Sequence, residues 1–184
     1  CPDEWQRDFD DSLWDIVSIP HGIELLPEEA SGNINYQGEA WYRKTFSVPE
    51  NLKNKIVYLY FEGIMGKSRI WLNGKLLREH YNGYLPVIVD VTEGLNFETA
   101  NTLAICADNS DDPSFLPGKP QQALDFTYFG GIYRDCFLIA HNPVHITDAN
   151  YEDENAGGGV FIHYPFVSED KAEIGVKIHL RNES

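Results

Sequence analysis

The chain has 184 residues, 42% of them hydrophobic and 13% aromatic, and a formal net charge of −15. That length and composition describe a folded unit with its own apolar core rather than a disordered tail. The charge sets the surface against phosphate backbones and anionic lipid, which disfavours nucleic acid and membrane surfaces as partners and leaves neutral sugars compatible. No apolar run approaches the ~20 residues of a membrane span, and no signal-peptide pattern is legible. A periplasmic or extracellular setting is favoured over the cytoplasm, with a lipid-anchored Cys1 as one reading of the first residue.

Period-two alternation recurs along the chain, and no sustained helical period is present. Ala40, Tyr42, Phe46 and Val48 alternate with Trp41, Arg43, Thr45 and Ser47. Val57, Leu59 and Phe61 alternate with Ile56, Tyr58 and Tyr60. The segments Lys67 to Leu72 and Lys75 to Glu79 flank Asn73-Gly74, a pair that tolerates positive φ at both turn positions and so predicts a hairpin. Val87, Val89 and Val91 form a further alternating set, whereas Leu103 to Ala107 and Ile132 to Ala140 read as strands buried on both faces. About seven or eight such strands separated by turn signals predict an all-β jelly-roll sandwich.

The pattern breaks near His141-Asn142-Pro143. Beyond it, Val144 to Tyr151, Val160 to Phe166 and Ala172 to Leu180 read as strands, the last with Ala172, Ile174, Val176, Ile178 and Leu180 on one face. The expected division is residues 1–142 as one sandwich and 143–184 as the opening strands of a second, immunoglobulin-like one. The alternative is that the last strands complete the first sandwich. An uncovered apolar face in the last strand predicts association with another copy through this tail.

The chemistry-bearing residues are sparse. The six histidines are scattered, and none pairs with Cys or Glu at zinc-ligand spacing. Cys106 and Cys136 fit buried free thiols rather than a disulfide framework. No Gly-x-Ser-x-Gly elbow or phosphate-binding glycine loop is present. Two long irregular stretches, Gly22 to Gly38 and Asp108 to Phe129, are candidate functional loops. Within the second, Asp125 stands beside Phe126 and Tyr128. Rings there can stack on the apolar face of a sugar while the carboxylate accepts hydrogen bonds from hydroxyls. A capping or turn aspartate is the alternative for Asp125.

A set of ordered motifs resembles the N-terminal sugar-binding domain of glycoside hydrolase family 2. They are Phe9-Asp10-Asp11-Ser12-x-Trp14, Ile19-Pro20-His21, Ala40-Trp41-Tyr42-Arg43-Lys44-Thr45-Phe46, Ile70-Trp71-Leu72-Asn73-Gly74-Lys75, Asn82-Gly83-Tyr84, Ala107-Asp108-Asn109-Ser110 and Gly131-Ile132-Tyr133-Arg134-Asp135. The resemblance covers residues 9 to 142. It implies a jelly roll flanking a catalytic (β/α)8 barrel, which needs about 250 residues and carries both catalytic glutamates, so no catalytic pair is expected in this chain. It also implies that Asp125 contacts the terminal sugar, with a sodium or magnesium ion nearby in the complete enzyme and no other cofactor. An asparagine from the Gly22 to Gly38 loop is implied at the same sugar, for which Asn33 and Asn35 are the matches, each with a turn role as its alternative. The implied ligand is a terminal β-linked sugar such as galactose, and the implied partners are the remaining domains of the same polypeptide. β-Galactosidases are the nearest subfamily, with β-glucuronidases and β-mannosidases as alternatives and an autonomous carbohydrate-binding module as a different class. Family members usually carry a strand before the Phe-Asp-Asp-Ser segment, and only eight residues precede Phe9 here, so the sandwich is expected to lack its first strand.

Overall fold

The structure, a computed structural model, describes residues 3–24, 35–124, 126, 128–155 and 157–184. It is all-β apart from short 3-10 turns and one turn of α-helix. Four strands, β1 (Glu39–Phe46), β3 (Lys67–Leu72), β4 (Lys75–Tyr81) and β6 (Asn101–Asp108), form a sheet in the order β1-β6-β3-β4. Three more, β2 (Ile56–Phe61), β5 (Val87–Asp90) and β7 (Cys136–His141), form a second sheet in the order β5-β2-β7. All their pairings are antiparallel.

The sheets face each other across one core. Alternation delivers Val57, Leu59 and Phe61 from β2, Ile70 and Leu72 from β3, Val87 and Val89 from β5, and Leu103, Ile105 and Ala107 from β6. Central β6 is buried along its whole length. Its outward residues Ala104 and Cys106 lie under a second apolar cluster with Trp71, Trp41 and Trp5. Trp41 and Trp71 stack there at 5.2 Å, and the Arg69 guanidinium lies over both rings. This explains why β6 reads as apolar on both sides. Between β3 and β4, Asn73 (φ 52°) and Gly74 (φ 82°) make the hairpin turn that the sequence predicts.

Three strand expectations change, one of them in the tail, where the predicted strand Ala172 to Leu180 is split at His179 between two separate ladders. The predicted strand Ile132 to Ala140 begins only at Cys136. The carbonyls of Gly130, Gly131, Ile132 and Asp135 accept instead from the amides of Ile23, Met65, His21 and Glu62, so this stretch is tied to loops and joins no ladder. Nor is β7 buried on both faces: it pairs only with β2, and Phe137 and Leu138 are exposed. The remaining change is in Val144 to Tyr151, which divides into β8 (Val144–Ile146) and helix α1 (Ala149–Glu152). Asp148 caps that helix by accepting from the amides of Asn150 and Tyr151, which takes the chain out of extended geometry.

The flank between edge strands β1 and β7 is open. A trench of about 1120 Å³ there reaches core residues Leu59, Phe61, Leu103 and Ile105. Residues 11–19 run beside it without forming a strand, and Leu13 is 97% exposed. Beyond β8 lie β9 (Val160–Val167), β10 (Ala172–Ile178) and β11 (Leu180–Asn182). β9 pairs with β10 and β11 with β8, separately from the two large sheets. The β9–β10 hairpin carries Val160, Phe161, Ile162, Phe166, Ile174 and Val176 exposed. Cys106 is a buried free thiol and Cys136 a half-buried one.

Candidate functional site

The two candidate loops meet at one end of the sandwich, where β1 begins and β6 ends. Register explains the meeting: Glu39 of β1 lies opposite Asp108 of β6, so the segments running off both strands leave side by side. Asn109, 2% exposed, ties them together. Its Oδ1 accepts from the Gly38 amide at 2.9 Å, and its Nδ2 donates to the Tyr36 carbonyl at 2.7 Å. A Cβ on Gly130 would fall 2.8 Å from Asn109 Nδ2, so glycine there admits the asparagine.

Asp108 closes the end of β6. Its carboxylate lies 3.1 Å from Lys67 Nζ and accepts from the Ser110 amide at 3.0 Å. Burial pushes this carboxyl up, but the Ser110 hydroxyl and amide and the Lys67 ammonium outweigh that and hold it below the usual carboxylate value. Asp111 gathers the next layer: Oδ1 accepts from Gln37 Nε2 at 2.6 Å and from the Gln121 amide at 3.0 Å. The Gln121 side-chain carbonyl in turn accepts from the Asn35 amide.

Of the sequence-predicted site residues, Asp125 and Asn33 lie outside the described residues. Asn35 is 5% exposed, and its side chain is engaged locally: Nδ2 donates to the Tyr128 carbonyl at 3.3 Å and Oδ1 accepts from the Tyr36 amide at 2.8 Å. Tyr128, 7% exposed, lies in the same network. Burial, and then the Asp111 charge, push its phenol up. Phe126 is 46% exposed and turns its ring to solvent. The structure therefore brings Asn35 and Tyr128 together as supports and leaves Phe126, two residues before Tyr128, on the surface.

A neighbouring turn completes the rim. Asn82 Oδ1 accepts from the amides of Tyr84 and Leu85 at 2.8 and 3.2 Å, and the Tyr133 hydroxyl donates to the Gly83 carbonyl at 2.6 Å. Tyr84, Leu85 and Leu116 are exposed, and Tyr81 meets Phe115 edge to face at 5.9 Å. Exposed rings above acidic, hydrogen-bonded loops can stack on a sugar and bond to its hydroxyls. Among the described residues, no three His, Cys, Asp or Glu side chains gather closely enough to hold a metal ion.

Several resemblance motifs have structural work here. His21 Nδ1 lies 3.0 Å from the Tyr42 hydroxyl, and Gly131 (φ 105°) fits against both, where a Cβ would meet Tyr42 Oη at 2.3 Å and the His21 carbonyl at 2.8 Å. Arg43 holds the first residues: Nε bonds Asp11 at 2.9 Å, Nη1 bonds the Gln6 carbonyl at 2.9 Å, and the guanidinium covers the Phe9 ring at 5.4 Å. Sequence reasoning missed Asp111 and Gln121 as anchors, since an acid or an amide within a polar loop carries no periodic signal. It also read the histidines as scattered, whereas His141 and His145 stack at 5.1 Å.

The family model described as "Glycosyl hydrolase 2 galactose-binding domain-like" matches residues 26–114. A β-galactosidase of Thermoanaerobacter pseudethanolicus is 36% identical over 152 residues, covering 81% of this chain and 20% of that protein. A β-glucuronidase of Formosa agariphila is 28% identical over 187 residues, covering 95% of this chain and 19% of that protein. Among solved structures, a Bacteroides uniformis β-glucuronidase superposes with a TM-score of 0.84 at 33% identity, over 100% of this chain and 21% of its own. The chain thus spans about a fifth of the length of the relatives it matches. No helix among the described residues is long and apolar enough to cross a membrane.

Proposed function

Because this chain belongs to glycoside hydrolase family 2, as its galactose-binding-like N-terminal domain, we propose that it supplies one wall of the terminal sugar subsite in a β-galactosidase-type enzyme whose catalytic acids lie elsewhere in the polypeptide. The observation that carries this reading is the rim itself. Its loops are held by the buried Asn109 and by Asp111, Gln121 and Asn35, and they present Phe126 and Tyr84 outward. In this reading Asp125, on the same loop, accepts from the sugar hydroxyls, and Phe126 covers an apolar ring face. A sodium or magnesium ion beside Asp125 belongs to the same proposal. Its other ligands would come from the sugar and the rest of the polypeptide, since one carboxylate does not complete a shell for either ion.

A glucuronide is the second substrate class, favoured by the named β-glucuronidases among the relatives and solved structures. The acids at Asp111 and Asp112 on this rim suit a neutral galactoside better than a sugar carboxylate, because like charges repel. Asp125→Ala in the longer polypeptide should lower kcat/KM for an aryl β-galactoside roughly 10²-fold with the domain still folded. Unchanged kinetics would remove Asp125 from the subsite, and a preference for the aryl β-glucuronide would transfer the reading to that class. Titration of the chain alone with galactosides tests the binding-module alternative, which requires saturable binding without the catalytic domain.

The proposal extends to the remainder of the chain. Residues 143–184 open a second, immunoglobulin-like domain, and the exposed apolar hairpin β9–β10 packs against further protein, either the rest of the polypeptide or another copy. Sedimentation of the full chain beside one ending at Pro143 tests the second option. Association of the longer chain alone supports pairing through the tail, and monomers in both cases exclude it.

A further inference from the structure

The two stacked histidines lie where the sandwich passes into the ladders beyond it. His141 ends β7 and His145 lies on β8, either side of the turn at Asn142-Pro143. Their rings are 5.1 Å apart and inclined by only 17°. Tyr58 projects from the outer face of β2 into the same cluster, 6.0 Å from His141, 6.4 Å from His145 and 4.9 Å from Tyr151 of α1. Although it points away from the core, Tyr58 is only 7% exposed, with rings of β8 and α1 packed against it. This ring cluster is thus the seam between the three-stranded sheet and the module formed by β8, α1 and β11.

Charged groups border the seam from each element. Asp90 of β5 and Glu183 and Arg181 at β11 act on Tyr58, and Asp148, the cap of α1, acts on His141. Arg181 is held by Glu152 at 2.6 Å and Glu183 at 4.0 Å. Asp148 is occupied by the Asn150 and Tyr151 amides. On the turn itself, Lys55 Nζ bonds the Asn142 side chain, and His145 Nδ1 lies 3.1 Å from the Asn142 carbonyl, so that nitrogen carries a proton and donates. Among the described residues, neither imidazole has a carboxylate bonded to it that would hold a second proton.

We propose that the stacked His141–His145 pair is an acid-sensitive latch, holding β8 and α1 against Tyr58 when neutral and releasing them when both rings are protonated. Two neutral imidazoles stack without cost, whereas two imidazolium cations at this spacing repel. Burial first, and then the neighbouring His145, hold the His141 imidazole below its usual value of 6.5, with Asp148 opposing. The folded chain therefore binds fewer protons here than the unfolded chain. The latch's contribution is complete above the ordinary histidine value and is lost as pH falls below it.

Hydrogen exchange in the full chain tests the latch, with rates corrected for intrinsic pH dependence, at roughly pH 7.5 and pH 5. Protection across residues 144–152 should fall about tenfold at the lower pH while β6 holds its own. His145→Gln, or His141→Asn if the first variant folds poorly, removes one cation of the pair and should keep the change within about threefold. Protection of 144–152 that ignores pH, a loss shared equally by β6, or an undiminished response in both variants would each overturn the proposal.

Discussion

Gly131→Ala isolates the junction between the Pro20-His21 segment and the approach to β7. Gly131 has φ 105°, outside the region that side chains adopt, and holding another residue there costs about 1–3 kcal/mol. A Cβ would also lie 2.3 Å from Tyr42 Oη and 2.8 Å from the His21 carbonyl. The second contact is backbone, itself fixed by the His21 amide bond to the Ile132 carbonyl at 2.8 Å, so it cannot yield by rotating a side chain. Overpacking of this kind costs a further ~1–3 kcal/mol, and loss of the His21–Tyr42 bond about 1 kcal/mol more. The expected total is roughly 3–7 kcal/mol. Gly74→Ala supplies the control: it has φ 82° but nothing within 4 Å of the new Cβ, so only backbone strain of about 1–2 kcal/mol remains. In urea, with a slope near 2 kcal/mol per molar, the midpoint should drop by about 1.5–3.5 M for Gly131→Ala and by about 0.5–1 M for Gly74→Ala. Midpoints within about 0.5 M of each other would refute the claim that close approach, rather than φ alone, demands glycine at 131.

Arg43→Met keeps the apolar stem but abolishes the bonds to Asp11 and the Gln6 carbonyl. Because Asp11 is half exposed, the expected loss is about 2–3 kcal/mol, seen as roughly 30- to 150-fold faster proteolysis within residues 3–19. Asn109→Ala strands the Gly38 amide and the Tyr36 carbonyl, at a cost of about 2–4 kcal/mol, which lowers the urea midpoint by about 1–2 M. Asp108 titrates below its usual 3.8, so the native state binds fewer protons than the unfolded chain at mildly acid pH. Its contribution is present above that value and fades as pH falls through the lower native one. Asp108→Asn should therefore flatten the acid limb of a stability–pH curve, and an unchanged limb would show that Lys67 and Ser110 contribute nothing to it.

The sequence by itself determined the sandwich and its hairpin, because strand alternation and Asn73-Gly74 are local signals that survive without tertiary context. It also located both rim loops and the Phe126–Tyr128 stretch, since long polar segments between strands stand out against a periodic background. Only the tertiary structure showed that Arg43 and His21 are fasteners, that Asn35 is engaged in supporting its own loop, and that β7 is a half-exposed edge. Each of these depends on what lies across a sheet or beside a carbonyl, and a one-dimensional pattern does not encode that. The stacked histidines show the difference most plainly: four residues apart in sequence, they become a pair because the turn at Asn142-Pro143 folds β8 back over the outer face of the sheet, where Tyr58 is waiting.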